Sequence, residues 1–305
     1  MDAARGTYSI VGVDPETGEV GVAVQSKYFA VGALVPWAKA GVGAVATQAA
    51  GIAAYGPRIL ELLEGGAAPA DAIDQALAGD EGRETRQLGV VDASGHAVSF
   101  TGAKCNDWAG DVQGDGYAAQ GNILAGEAVV REMASAYERT EGALADRLMA
   151  ALEAAEAAGG DKRGRQSAAL IVERPDSASS QRQGTDRIVD LRVDDHPEPI
   201  EELRRLLGIW QRWHAMLEAY TLYEAGEFKR ALELATQALE AEPDDPMLRY
   251  NRACYASLAG RRETALDDLR RAIEGDPGML EMARVDSDFE PLADDEEFRR
   301  LVPQA

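Results

Sequence analysis

The stretch TYSIVGVDPETGEVGVAVQS, residues 7–26, sets the fold of the first part of the chain. Two runs rich in β-branched residues, TYSIVGVD and EVGVAVQS, flank the turn-forming residues PETG at positions 15–18. β-branched side chains favour strands, and a short connection containing proline and glycine between two such runs is typical of a β-hairpin. We therefore expect an antiparallel sheet whose first strand begins at Thr7.

Strand-like and helix-like segments alternate from this hairpin as far as residue 195. The predicted strands are residues 42–47, RQLGVVD (86–92) paired with HAVSFTG (96–102), GYAAQGNIL (116–124), and QSAALIVER (166–174) paired with RIVDLRVDD (187–195). The predicted helices are residues 55–64, 70–78, 127–137 and 144–158. Strands joined in hairpins, with helices in consecutive pairs, indicate an antiparallel, layered α+β domain and not a doubly wound parallel sheet.

From about residue 199 the pattern is helical throughout, and it repeats. Four pairs of residues lie 34 positions apart, namely Gly226 and Gly260, Ala231 and Ala265, Ala238 and Ala272, and Pro243 and Pro277. This period resembles a tetratricopeptide (TPR) repeat, although the second copy has Arg262 where the first has Phe228. The resemblance implies two pairs of antiparallel helices, and we expect residues 200–207 and 296–302 to cap them.

Composition excludes several classes of function. The chain of 305 residues carries 31 basic and 53 acidic residues, a net charge of −22, which disfavours binding to nucleic acids and to anionic membranes. Its two cysteines, Cys105 and Cys254, lie in no metal-binding or disulfide motif, and we expect no metal and no cofactor. No leader sequence and no apolar run of about 20 residues is evident, so we expect a cytoplasmic protein.

The order of the first segments carries a second resemblance. Thr7 opens the first strand, Gln25-Ser26-Lys27 ends the second, Lys39 follows in a third, and a strand of small residues then leads into a helix. This order resembles the N-terminal nucleophile (Ntn) hydrolases, which include the proteasome β-subunits. The stretches 7–48 and 83–110 are more similar to an uncharacterised bacterial family assigned to that fold. The resemblance covers residues 7–195 and implies a four-layer αββα antiparallel sandwich.

A threonine hydroxyl is a poor nucleophile near neutral pH and needs a base beside it. If Thr7 is the first residue, its own α-amine, with a pKa near 8, can serve as that base. Six residues precede Thr7, so the resemblance implies that the chain cleaves itself between Gly6 and Thr7 through attack of the hydroxyl on the preceding carbonyl. The alternative is a true start of the chain downstream of Met1.

The resemblance also names candidate partners for Thr7. Lys39 and Lys27 are candidates to lower the pKa of the amine and the hydroxyl, although Gln25 stands where proteasome-like members carry an aspartate. Gln25 and the remaining candidates are polar residues near predicted strand ends that could orient the amine or bind a substrate or an oxyanion. These other candidates are Thr47, Gln48, Asn106, Asn122 and Asp161.

Two hypotheses follow. The first is an amide hydrolase that acts on a small amide or peptide-like substrate through Thr7. The second is a catalytically inactive Ntn-like scaffold whose TPR-like module binds a peptide or protein. The expected organisation is residues 1–6 as a propeptide or extension, 7–195 as the α+β domain and 196–305 as the helical module, with self-association as a homo-oligomer.

Overall fold

The computed structural model describes residues 6–175 and 185–303. The chain divides into two compact units, Met1–Leu207 and Gly208–Ala305, so the division lies beyond the residue 195 expected from the sequence. Of the expected propeptide, residues 1–5 lie outside the described residues, whereas Gly6 lies inside them.

Two antiparallel sheets form the centre of the first unit. The strands are β1 (Thr7–Asp14), β2 (Glu19–Ser26), β3 (Pro36–Lys39), β4 (Gly43–Ala49), β5 (Arg86–Asp92), β6 (Ala97–Thr101), β7 (Gly110–Gly114), β8 (Tyr117–Asn122), β9 (Ser167–Glu173) and β10 (Arg187–Val193). The six-stranded sheet has the order β10-β9-β2-β1-β8-β7, and the four-stranded sheet has the order β3-β4-β5-β6.

Helices pack on the outer face of each sheet. They are α1 (Tyr55–Glu64), α2 (Pro69–Ala76), α3 (Ala128–Arg139) and α4 (Leu144–Ala157). Helices α1 and α2 bury their apolar faces on the four-stranded sheet, where Ile59 packs with Val45 and Val90. Helix α4 lies on the six-stranded sheet, where Tyr8 donates a hydrogen bond of 2.5 Å to Glu156. The inner faces of the two sheets pack against each other.

The predicted antiparallel α+β organisation is confirmed, and the limits of its first hairpin are those read from the sequence. Alternate side chains of β1 face opposite sides because a strand has a period of two residues. Ser9 therefore points between the sheets, where it donates to Gln48 of β4, while Tyr8 points to the helices. Strand β7 was not predicted, because its sequence GDVQG has a glycine at each end and one apolar residue.

The second unit is helical. Helix α5 (Pro199–Glu224) begins in the first unit and ends in the second, and it is followed by α6 (Phe228–Ala241), α7 (Pro246–Leu258), α8 (Arg262–Gly275), α9 (Gly278–Ala283) and α10 (Glu296–Leu301). Residues 200–207 are therefore the first part of a long helix and not a separate capping segment. Gly226 and Gly260 follow α5 and α7 with φ of 77° and 71°, a left-handed conformation that suits glycine.

None of the helices in residues 6–175 and 185–303 is both long and apolar enough to cross a bilayer.

Candidate active site

Thr7 lies at the start of β1, which is the fourth of the six strands in its sheet. It pairs with Ser26 of β2 on one side and with Asn122 of β8 on the other. Its side chain is 3% exposed, and its hydroxyl donates a hydrogen bond of 3.0 Å to the hydroxyl of Ser26. Two neighbouring strands therefore fix the position of the hydroxyl.

The carbonyl oxygen of Gly6, which belongs to the peptide bond ahead of Thr7, accepts two hydrogen bonds. Ser26 donates through its hydroxyl at 2.5 Å, and Arg163 donates through Nη2 at 2.7 Å. Thr7 donates to Ser26 and Ser26 donates to Gly6, so the three groups form one chain of hydrogen bonds. Donors at such distances polarise a carbonyl and stabilise negative charge that develops on its oxygen.

The carboxylate of Asp161 holds this arrangement together. It accepts hydrogen bonds from the guanidinium of Arg163, at 2.7 Å from Nη2 and 3.0 Å from Nε, and from the backbone N–H of Lys27 at 3.0 Å. A Cβ atom built on Gly6 would lie 2.8 Å from Asp161 Oδ1 and 2.9 Å from the Cβ of Ile123. Position 6 therefore has room for glycine alone without a shift of its neighbours.

A cavity of about 280 Å³ opens beside the Thr7 hydroxyl. Its polar lining residues are Thr7, Ser26, Tyr28, Thr47 and Gln48, and the others are aliphatic or glycine. The two sheets both contribute, since Thr7 and Ser26 belong to the six-stranded sheet and Thr47 and Gln48 to the four-stranded sheet.

Buried amides connect the sheets next to Thr7. Gln48 donates through Nε2 at 2.9 Å to Gln87 Oε1, which also accepts from Asn122 Nδ2 at 2.9 Å. Gln120 donates through Nε2 at 2.7 Å to the hydroxyl of Ser9, which donates in turn to Gln48. These five side chains are almost fully buried and hydrogen-bonded. Satisfied buried networks of this kind hold one geometry because each lost bond leaves a buried polar atom unpaired.

On the other face of β1 the phenol of Tyr8 is fully buried. Burial, together with the neighbouring carboxylate of Glu156, raises the pKa of Tyr8 well above its ordinary value. Tyr8 therefore stays a neutral hydrogen-bond donor and fixes β1 to α4.

Of the candidates named from the sequence, four surround Thr7. Thr47 and Gln48 line the cavity, Asn122 pairs with Thr7, and Asp161 contacts Gly6. These contacts bring four of the predicted polar residues to one site.

The two lysines are not part of this site. Lys39 is half exposed and forms an ion pair of 2.6 Å with Glu64 of α1. It pairs with Gly43 at the start of β4, whereas the cavity lies at the other end of that strand, near Thr47. The Nζ atom of Lys27 donates to the backbone carbonyl of Arg165 on the surface, and only the backbone N–H of Lys27 reaches Asp161.

Gln25 and Asn106 also lie away from the cavity. Ser26 lines the cavity, so the side chain of the preceding residue, Gln25, points to the opposite face of the sheet. Gln25 is fully buried there, and its amide has no hydrogen-bond partner within the described residues. Asn106 is exposed, and its backbone carbonyl accepts from the N–H of Ile123.

Two residues that contact the Gly6 carbonyl were not predicted. The register of the first hairpin, with Asp14 opposite Glu19, places Ser26 opposite Thr7 and could have identified it. Arg163 gave no such signal, because it lies in the segment DKRGR, residues 161–165, among other basic residues.

One further group of side chains has the composition of a metal site within the parts of the chain that the structure describes. Cys254, Asp286 and Asp288 of the second unit lie within 4.8 Å of one another. Tyr250 donates to Asp286 at 2.8 Å and Tyr223 to Asp288 at 2.9 Å. Burial raises the pKa of Cys254, which keeps it in the thiol form, whereas a metal ligand must be a thiolate. We assign no ion to this group.

The fold and the site together define a class of protein, one in which two antiparallel sheets pack face to face and a buried threonine opens a central strand beside a cavity. The chain belongs to the DUF1028 family, a family of unknown function whose model matches residues 7–203. This membership confirms the expected likeness to an uncharacterised family.

The structure of protein SPO2555 from Silicibacter pomeroyi, also a DUF1028 protein, is similar to this chain. The two are 36% identical in sequence, and the match covers 66% of this chain and 88% of that one with a TM-score of 0.60. Among curated proteins, none matches the chain.

Proposed function

We propose that the first unit is an amide hydrolase of the Ntn type, with an αββα sandwich in which Thr7 is the nucleophile. The observation that carries the proposal is the chain of hydrogen bonds from the Thr7 hydroxyl through Ser26 to the carbonyl of Gly6, beside a cavity. It supplies a nucleophile, a route for its proton and a polarised carbonyl at one place.

Self-cleavage is the first step of the proposal. The Thr7 Oγ1 attacks the carbonyl carbon of Gly6, and its proton passes through the Ser26 hydroxyl to the carbonyl oxygen, on which Arg163 also acts as a donor. The carbon–nitrogen bond then breaks, the nitrogen of Thr7 takes up that proton, and Gly6 is left as an ester on Oγ1. Water hydrolyses this ester, releases the carboxylate of Gly6 and leaves Thr7 with a free α-amine and a free hydroxyl.

Turnover follows the same chemistry on a substrate. The free amine of Thr7 accepts the proton from the hydroxyl as Oγ1 attacks the substrate amide, and the departing amine takes the proton as the carbon–nitrogen bond breaks. Water then hydrolyses the acyl ester to a carboxylic acid. Ser26, whose acceptor leaves with Gly6, is available to donate to the oxyanion.

The alternative is a binding scaffold without catalysis, and the position of the lysines favours it. Neither Lys39 nor the Nζ of Lys27 lies at Thr7, so the cation expected from proteasome-like enzymes is absent among the residues described there. Arg163 supplies a positive charge at the adjacent Gly6 carbonyl, which is why we prefer the hydrolase.

The decisive experiment combines N-terminal sequencing with labelling. We expect purified protein to begin at Thr7, and a β-lactone electrophile to acylate that residue. Thr7→Ser should still be cleaved before residue 7 and acylated by the β-lactone, but both reactions should be slower. Thr7→Val, which keeps the shape without the hydroxyl, should undergo neither reaction. Unlabelled protein that begins at Thr7, or labelling that persists in Thr7→Val, would contradict the proposal.

For the second unit we propose a TPR-like module that binds a peptide or protein segment. The support is the 34-residue spacing and the matching left-handed glycines Gly226 and Gly260, with Ala231 and Ala265 both fully buried. A cytoplasmic location and self-association also stay predictions. Light scattering of the full chain in solution tests self-association, for which a monomeric mass is the contrary result.

A further inference from the structure

Part of the lining of the cavity beside Thr7 is apolar. This part consists of Val31, Leu34 and Val35, which lie in and after the 3-10 helix Val31–Ala33, and of Ala49 at the end of β4. No side chain that lines the cavity within the described parts of the chain carries a charge. A charged group placed there would lose water without gaining a partner, and this is unfavourable.

The segments that line the cavity also carry exposed apolar side chains. In the described residues of the first unit, the large apolar side chains that are exposed are Phe29, Leu34 and Ile52, at 61%, 37% and 38%. Leu34 lines the cavity, Phe29 follows the lining residue Tyr28, and Ile52 lies between two lining residues, Gly51 and Ala53. Exposed apolar side chains in the segments beside a cavity are typical of a ligand-binding site.

The reaction proposed for Thr7 determines which part of the substrate occupies the cavity. In the ester intermediate the acyl part of the substrate is bonded to Oγ1, which lies on the cavity, while the amine departs. A cavity of about 150 Å³ with an aliphatic lining binds benzene, so the 280 Å³ here has room for an acyl chain of about six carbons.

We propose that the substrate of this site is an amide with an uncharged, apolar acyl group, which fills the cavity against Val31, Leu34 and Val35. This inference rests on the proposed function for the bond to Thr7, whereas recognition of the acyl group depends on the cavity alone.

Two probes of equal chain length test the proposal: hexananilide, and the monoanilide of adipic acid, whose six-carbon acyl chain ends in a carboxylate. Their dissociation constants are measured by calorimetry on a Thr7→Ala chain from which residues 1–6 are deleted, because this variant can neither consume the probes nor remove those residues itself. We expect hexananilide to bind at least about tenfold more tightly, and each methylene removed from its chain to weaken binding about fourfold.

Leu34→Lys places a cation in the lining of the cavity and should reverse the preference in favour of the adipic compound. Glu132→Gln, on the exposed face of α3, changes the net charge by the same amount and should leave both dissociation constants unchanged. Equal or tighter binding of the adipic compound to the Thr7→Ala chain, or binding of neither probe, would overturn the proposal.

The two proposals fail separately. If hexananilide binds as expected but mature wild-type protein neither hydrolyses it nor reacts with the β-lactone, the hydrolase is refuted and the apolar ligand site remains. If the β-lactone labels Thr7 but the probes show no preference, the acyl specificity is refuted and the hydrolase remains.

Discussion

Removal of the Arg163 guanidinium should slow cleavage of the Gly6–Thr7 bond by about 10²–10³-fold, the usual effect of losing one donor to a developing oxyanion. Two side-chain donors serve the Gly6 oxygen, at 2.5 and 2.7 Å, so Arg163→Ala leaves Ser26 as the remaining one. The loss corresponds to about 2.7–4 kcal/mol of the barrier.

The rate is followed in full-length chain made by cell-free translation, with intact mass measured over time. Cleavage appears as the loss of the mass of residues 1–6. The matched control is Arg165→Ala, because Arg165 is in the same segment but forms its ion pairs with Glu156 and Glu198. Circular dichroism confirms that each variant is folded.

Two results would refute the reasoning. One is conversion of Arg163→Ala at the rate of wild type and of Arg165→Ala. The other is a wild-type chain that is folded and keeps its full mass indefinitely, because the donors around the Gly6 carbonyl would then serve no reaction.

Three further predictions concern other parts of the molecule. Gly6→Ala should slow self-cleavage at least tenfold by intact mass, because its Cβ would meet the Asp161 carboxylate at 2.8 Å and displace the scissile carbonyl; cleavage at the wild-type rate would contradict this. Unfolded Tyr8 loses its proton near pH 10 whereas folded Tyr8 keeps it, so ionisation favours the unfolded chain as pH rises. Above pH 10 the free energy of unfolding in urea should therefore fall about 1.4 kcal/mol more per pH unit in wild type than in Tyr8→Phe, and equal slopes would contradict it. Asp268→Asn should destabilise the second unit by about 3–5 kcal/mol, because the buried carboxylate is shared by Arg249 and Arg252, and amide hydrogen exchange in α7 and α8 should rise accordingly. Unchanged exchange there would show that these ion pairs contribute little.

Local patterns in the sequence were enough to predict most of the sheets. Strands β1 and β2 were predicted to the residue, because β-branched runs and a four-residue turn decide them locally. Strand β7 escaped prediction because its pairing with β8 forms it, and its own composition does not.

The site could be predicted in part. Thr7, Asn122 and Asp161 were named from the sequence, and the structure brings them to the same place. Lys39 was misplaced because the order of strands says which strand carries a residue but not which end of it lies at the cavity. The contact between Arg163 and Gly6 joins residues far apart in the chain and depends on how β9 packs beside β2, which local patterns do not contain.

The buried amides next to Thr7 have a consequence for how activity would respond to acidity. Glutamine, asparagine and serine neither gain nor lose a proton over the range in which enzymes are assayed. The charge of these side chains next to Thr7 therefore does not change with pH. A plot of kcat/KM against pH for an uncharged substrate should show an inflection near the pKa of the α-amine of mature Thr7. The buried amide and hydroxyl side chains should add no second inflection.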